Sequence, residues 1–383
     1  MTVVADGQTG ARVSAQLRVW PGVVFVIATA LGLMLRAVYV GWSSGVPFDH
    51  LLHSHSHALY FGWAGLTILA AATDDLPTAQ RWAWAALVLT LPMTVAFLLQ
   101  GYAPASIAGS TLVMLAWYGA IWSWWRRRQE ASCPAGMGVA LAYVLVASAG
   151  IWVLAGVQAT GRGDTIAADL AVHAFLSGFA WAMMIGAAAL TERMGLIDPN
   201  SNRAAIGGWA AVAWILFPLG VVGGPEVPGL GWAARAGAIL VLYPTWLWLR
   251  GAWDGAAADT HRLALRAAAA SLAAAVAGLA AVAIFGSPLL SFVGRQGVVF
   301  YLHALLLGGV STLLIRYLGD GLGEGLRRSL LFHVFGVGLM LAGIALLIGG
   351  LVLGAWLALA GAVAAWAAGL GWAWLIWHRQ PSR

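Results

Sequence analysis

Twelve times along this chain, apolar residues run for about twenty positions with few charges, the length that carries an α-helix across roughly 30 Å of hydrocarbon. The runs fall at about 19–42, 50–73, 80–101, 106–125, 135–158, 166–190, 203–223, 230–250, 264–286, 293–315, 329–350 and 352–377. The pattern predicts an all-α membrane protein of twelve transmembrane helices. The polar leader Met1 to Arg18 lacks the short apolar core and small-residue cleavage site of a signal peptide, so the first helix is expected to be retained.

Composition sharpens the class. Of 383 residues, 61% are hydrophobic and 9% charged, with a mean hydropathy of +0.85. No soluble domain has surface enough to hide that much apolar side chain, so the lipid bilayer is the expected surroundings. All twenty basic residues are Arg. Those in segment ends and loops gather on one side, as at Arg12, Arg18, Arg81, Arg126 to Arg128, Arg193, Arg203, Arg250, Arg262, Arg316, Arg327, Arg328 and Arg379. The opposite loops hold little more than Arg162 and Arg295. The positive-inside rule then places both termini in the cytoplasm of a cell (inner) membrane protein and requires an even number of spans. The high pI is a topology signal, and no nucleic-acid partner is expected, because no basic stripe lies on a soluble face. Many of the 22 Trp fall near segment ends, where indoles anchor to the membrane interface. The single cysteine, Cys133, offers neither an internal disulfide nor a thiolate cluster, so any metal must rest on histidine.

One phrase recurs inside the apolar runs: His57-Ala58-Leu59-Tyr60-Phe61-Gly62, His173-Ala174-Phe175-Leu176-Ser177-Gly178 and His303-Ala304-Leu305-Leu306-Leu307-Gly308. The copies stand 116 and then 130 residues apart, on the second, sixth and tenth runs. They predict one membrane domain of three pseudo-repeated four-helix units, at about 19–125, 135–250 and 264–377. Histidine is costly in hydrocarbon, so each copy is a candidate metal or ligand site in the outer half of the membrane.

Twelve helices with histidines in the outer halves of helices two, six and ten resemble subunit I of the heme-copper oxidase superfamily and its smaller relatives, the NnrS family among them. His55-Ser56-His57-Ala58-Leu59-Tyr60-Phe61-Gly62-Trp63 is similar to that family's helix-two motif, and Tyr301-Leu302-His303 stands in the place of its helix-ten His-x-His pair. The resemblance implies a heme b with His57 and His303 as axial ligands, and His173 as a residue of a metal or gas site. Departures narrow it. The seventh run has no histidine, Tyr301 replaces the high-spin heme ligand, and the sixth run lacks the Pro, Glu and Tyr that follow its histidine in oxidases. Buried Lys is absent, and carboxylates are nearly so, which argues against proton pumping and oxygen reduction. Against NnrS, Ala58 replaces the expected acidic residue.

A bis-histidine heme needs two neutral imidazoles presented from helices facing each other across a bundle, and His57 and His303 are the expected pair. Arg36, Arg235, Arg295 and Gln296 are candidates to hold its propionates. Along Asp49 to His57, the spacing puts His50, His53 and His57 on one stripe, with His55 pointing elsewhere. Three imidazoles on a stripe suit copper or zinc; the alternative is a polar cap at the membrane surface. No P-loop, dinucleotide fingerprint, zinc-protease helix or hydrolase triad appears. Two functions are therefore weighed. One is a heme-binding membrane protein that carries electrons with a redox partner, binds a diatomic gas such as nitric oxide, or handles copper. The other is a cofactor-free transporter or channel whose histidines line a substrate path. No enzymatic activity is assigned.

Overall fold

The computed structural model describes residues 15–131, 133–160, 166–216, 228–254, 259–285 and 287–378. Among them there is no strand, and the chain is a succession of helices. These are α1 (Ala15–Val38), α2 (48–73), α3 (Pro77–Gln100), α4 (Pro104–Arg126), α5 (Ala135–Ala159), α6 (Ile166–Arg193) and α7 (Pro199–Leu216). They continue as α8 (228–254), α9 (Asp259–Phe285), α10 (287–318), α11 (Glu324–Ile348) and α12 (Leu353–His378). Eight of the described helical stretches are long and apolar enough to cross a membrane: α1, α3, α4, α5, α9, α11 and α12, and the part of α10 from Phe292 to Leu318. This is a multi-pass helical membrane protein.

Interruptions in the helices have local causes. Pro77 and Pro104 open α3 and α4, where a missing N–H costs nothing. In α8 the helix is offset at Val241, one position after Leu240, whose carbonyl would meet the ring of Pro244. Gly294 breaks α10 with φ 48° and ψ −145°, a conformation essentially restricted to glycine, and so re-aims the stretch that carries His303. Two further departures are π-helical. Ala58–Gly65 in α2 and His303–Ser311 in α10 widen to the i→i+5 pattern. Thus the first and third copies of the repeated phrase coincide with π-helical turns, whereas the second lies in α6, which is α-helical from Ile166 to Arg193.

Sequential helices pack as hairpins, α3 on α4, α5 on α6 and α11 on α12, and α1 packs on α12, which brings the two ends of the described chain together. Helix α6 touches both π-helical stretches, so it lies behind α2 and α10 at the middle of the molecule. The backbones of α11 and α12 approach closely. There a Cβ on Gly336 would lie 2.5 Å from the Ala365 nitrogen and 2.8 Å from the Gly361 carbonyl, and one on Gly343 would lie 2.6 Å from the Gly354 carbonyl. With no hydrophobic drive between helices in lipid, such contacts are a main source of association.

Candidate functional site

The histidines of α2 divide between its two sides. On one side, His57 is buried with its ring 4.0 Å from that of Phe97 of α3, and its Nδ1–H donates to the His53 carbonyl at 2.8 Å. His53 sits 4.4 Å, ring to ring, from Tyr102. His50 covers Gly101, which ends α3 at φ +61°; a Cβ there would lie 2.6 Å from the imidazole. The stripe His50, His53 and His57 thus faces the α3–α4 corner. Among the described residues, no three His, Cys, Asp or Glu side chains come together as a metal would require.

On the other side, His55 reaches α1. Its Nδ1 meets the Ala28 carbonyl at 2.7 Å, and its ring lies against the bare Cα of Gly32, where a Cβ would stand 2.7 Å from Cε1. Facing it from α10 is His303, whose Nδ1 meets the Val299 carbonyl at 2.8 Å. The two rings are nearly parallel, 16° between planes, with centroids 6.4 Å apart. The imidazole facing His303 belongs to His55, and the turn of α2 places His57 on the opposite side, against Phe97.

A carbonyl only accepts, so each Nδ1 carries a proton, and in the neutral ring it is Nε2 that holds the lone pair able to ligate a metal. A hydrogen bond on the other ring nitrogen is also what orients metal-bound imidazoles and raises their basicity. At 6.4 Å the rings are too far apart to touch.

Between them lies a cavity bounded by α1, α2, α10, α11 and α12. It offers about 150 Å³ to the centres of water-sized spheres, and about 980 Å³ of atom-free space when its open side is included. Its walls are chiefly apolar, among them Leu33, Leu59, Leu302 and Leu306, with Ala362 and Ala365 keeping α12 flat. Trp63 and Ser311 close the end where the two π-helical turns meet, the indole N–H donating to the hydroxyl at 2.8 Å.

The cavity also holds a cation. Arg36, one turn beyond Gly32, lines it and is only 6% exposed. Its guanidinium lies 5.8 Å from the Tyr39 ring, and no carboxylate among the described residues pairs with it. Tyr39 meets Phe48 edge-on, and the exposed Arg295 lies 4.8 Å over Phe48, so a second Arg stands near the same rim without lining the cavity. The other named residues lie elsewhere. Arg235 packs on Trp232 with Nε buried and unpartnered, Gln296 has Oε1 buried without a partner, and Tyr301 buries its hydroxyl beside the Trp181 indole. The side chain of His173 is outside the described residues, although its backbone is helical. His333 of α11 is fully buried with Nε2 3.2 Å from the Leu307 carbonyl. The seat at Gly32 escaped the sequence reading; a glycine four residues before an intramembrane Arg was the available signal.

No known family model matches the chain, and no curated protein matches it.

Proposed function

We propose that this is a heme-binding membrane protein of the heme-copper oxidase subunit I type, with His55 and His303 as axial ligands of a low-spin b-type heme. One observation carries the reading: two parallel imidazoles from different helices, each with Nδ1 on a backbone carbonyl, are set 6.4 Å apart across an apolar cavity. The buried, unpaired Arg36 suits a propionate, with Arg295 near the rim for a second. When bound, the heme would supply a one-electron couple. The protein's part is to fix both imidazoles, exclude water with Leu and Ala side chains, and hold counter-charge at the rim.

Because both axial positions are filled by side chains, electron transfer is favoured over gas binding, which would need one histidine to leave. In this reading all twelve apolar runs cross the cytoplasmic membrane as three four-helix units, with both termini inside. The electron donor is a redox partner yet to be identified.

Optical spectra of the detergent-purified protein, oxidised and dithionite-reduced, test the proposal. A sharp reduced α-band is expected in the native protein and in His57→Ala, and its loss in His55→Ala and in His303→Ala. A colourless native protein from heme-replete cells would sink it and leave the transporter reading.

A further inference from the structure

We propose that the groove between α4 and α5, at the Arg-rich side of the molecule, is a site for an anionic phospholipid. This is independent of the heme reading. The groove offers about 560 Å³ to the centres of water-sized spheres. Its walls are apolar along the helices, formed by Gly138, Val139, Ala142 and Val146 of α5 facing Trp124 of α4. Gly138 keeps it open, since a Cβ there would lie 3.0 Å from the Trp124 ring. A channel of this shape, running along the helix axes from the membrane surface, takes an acyl chain rather than a polar solute.

Charge selects the headgroup. Arg126, Arg127 and Arg128 follow one another at the end of α4. Arg127 is tied to Glu130 at 3.2 Å. The nearby Arg193 is tied to Asp74 at 3.6 Å. Among the described residues, no such carboxylate pairs with Arg126 or Arg128. Each guanidinium instead lies over an exposed indole, Trp122 at 5.5 Å and Trp125 at 5.1 Å. One Arg128 N–H donates to the Trp125 carbonyl at 2.9 Å, which anchors the side chain and leaves further donors for a phosphate. Asp75 lies near enough to Cys133 to act on it electrostatically but does not line the groove. Arg128 lines the groove and Arg126 lies two residues before it at the same helix end, where cytoplasmic-leaflet lipids carry negative charge.

Cys133 lines the mouth and is the only cysteine of the chain, so it reports occupancy directly. The experiment is the rate of Cys133 alkylation by an uncharged maleimide at one fixed pH. The full chain is compared in nanodiscs of phosphatidylcholine alone and of phosphatidylcholine with phosphatidylglycerol. Phosphatidylglycerol should slow labelling several-fold. In an Arg126→Gln/Arg128→Gln double variant the two rates should converge, whereas Arg262→Gln should retain the difference. Equal rates for the native protein in both lipids would overturn the proposal. So would protection that survives in the double variant, or equal protection by free glycerol phosphate in phosphatidylcholine discs.

Discussion

A methyl group on Gly32 would lie 2.7 Å from Cε1 of His55 and 3.0 Å from its Nδ1, closer than any real side chain tolerates, so Gly32→Ala must push the imidazole off the Ala28 carbonyl. The expected outcome is a broadened or missing reduced α-band, with a stability loss of about 1–3 kcal/mol from overpacking. Gly278→Ala in α9, where a Cβ meets nothing within 4 Å, should leave the spectrum unchanged. Arg36 gives a sharper test because its sign depends on what it pairs with. An unpaired buried charge destabilises a fold, whereas removing one partner of a buried pair is costly. Arg36→Gln should therefore raise the melting temperature of heme-free protein and lower heme retention in loaded protein. A fall in both would mean that Arg36 has a protein partner. At this scale the sequence revealed the chemistry but not the pairing. His55 and His57 stand two residues apart in one motif, and which of them faces α10 depends on how α2 is rotated against α1 and α3. Periodicity separated His55 from the His50, His53 and His57 stripe, but nothing in it said which side looks at His303.

The two π-helical turns are joined by a buried hydrogen bond from the Trp63 indole to the Ser311 hydroxyl, which in turn donates to the Leu306 carbonyl at 2.9 Å. Ser311→Ala strands the indole N–H in an apolar environment and should cost about 1–3 kcal/mol. Trp63→Phe combined with Ser311→Ala should cost less than the sum of the single changes, because the second removes a group already orphaned. Additive losses in thermal unfolding would show that the bond does not couple the two turns. The helices themselves were legible: each apolar run falls on a described helical stretch, within a few residues where both ends are described. The π-helical turns were not, since they arise from an extra residue accommodated by tertiary packing rather than from composition. Their coincidence with the His-Ala-Leu phrases gives part of the sequence repeat a structural counterpart.

For the molecule as a whole, the number of membrane crossings turns on α2, α6, α7 and α8, and of these α2 is the one that carries His55. It is not among the eight stretches that qualify by length and apolarity, and its first ten residues, Phe48–His57, include Asp49 and four histidines. In the proposed topology α2 crosses nonetheless. His55 turns its polar edge to the cavity and the Ala28 carbonyl, and the following sixteen residues, 58–73, are almost wholly buried and apolar. Neutral, hydrogen-bonded imidazoles facing a bundle interior are the form in which histidine is tolerated at that depth. Reporter fusions after Gly45, Asp75, Tyr102 and Glu130 discriminate. An alkaline phosphatase, active only outside the cytoplasm, should be active after Gly45 and Tyr102 and silent after Asp75 and Glu130. Equal activity after Gly45 and Asp75 would make α2 a re-entrant or interfacial element. It would also remove the equivalence of depth between its phrase and that of α10, and with it the three-unit arrangement. The Arg distribution argues for the alternating result, because Arg81 and Arg126 to Arg128 then share one side while the α1–α2 connection, 39–47, carries no basic residue.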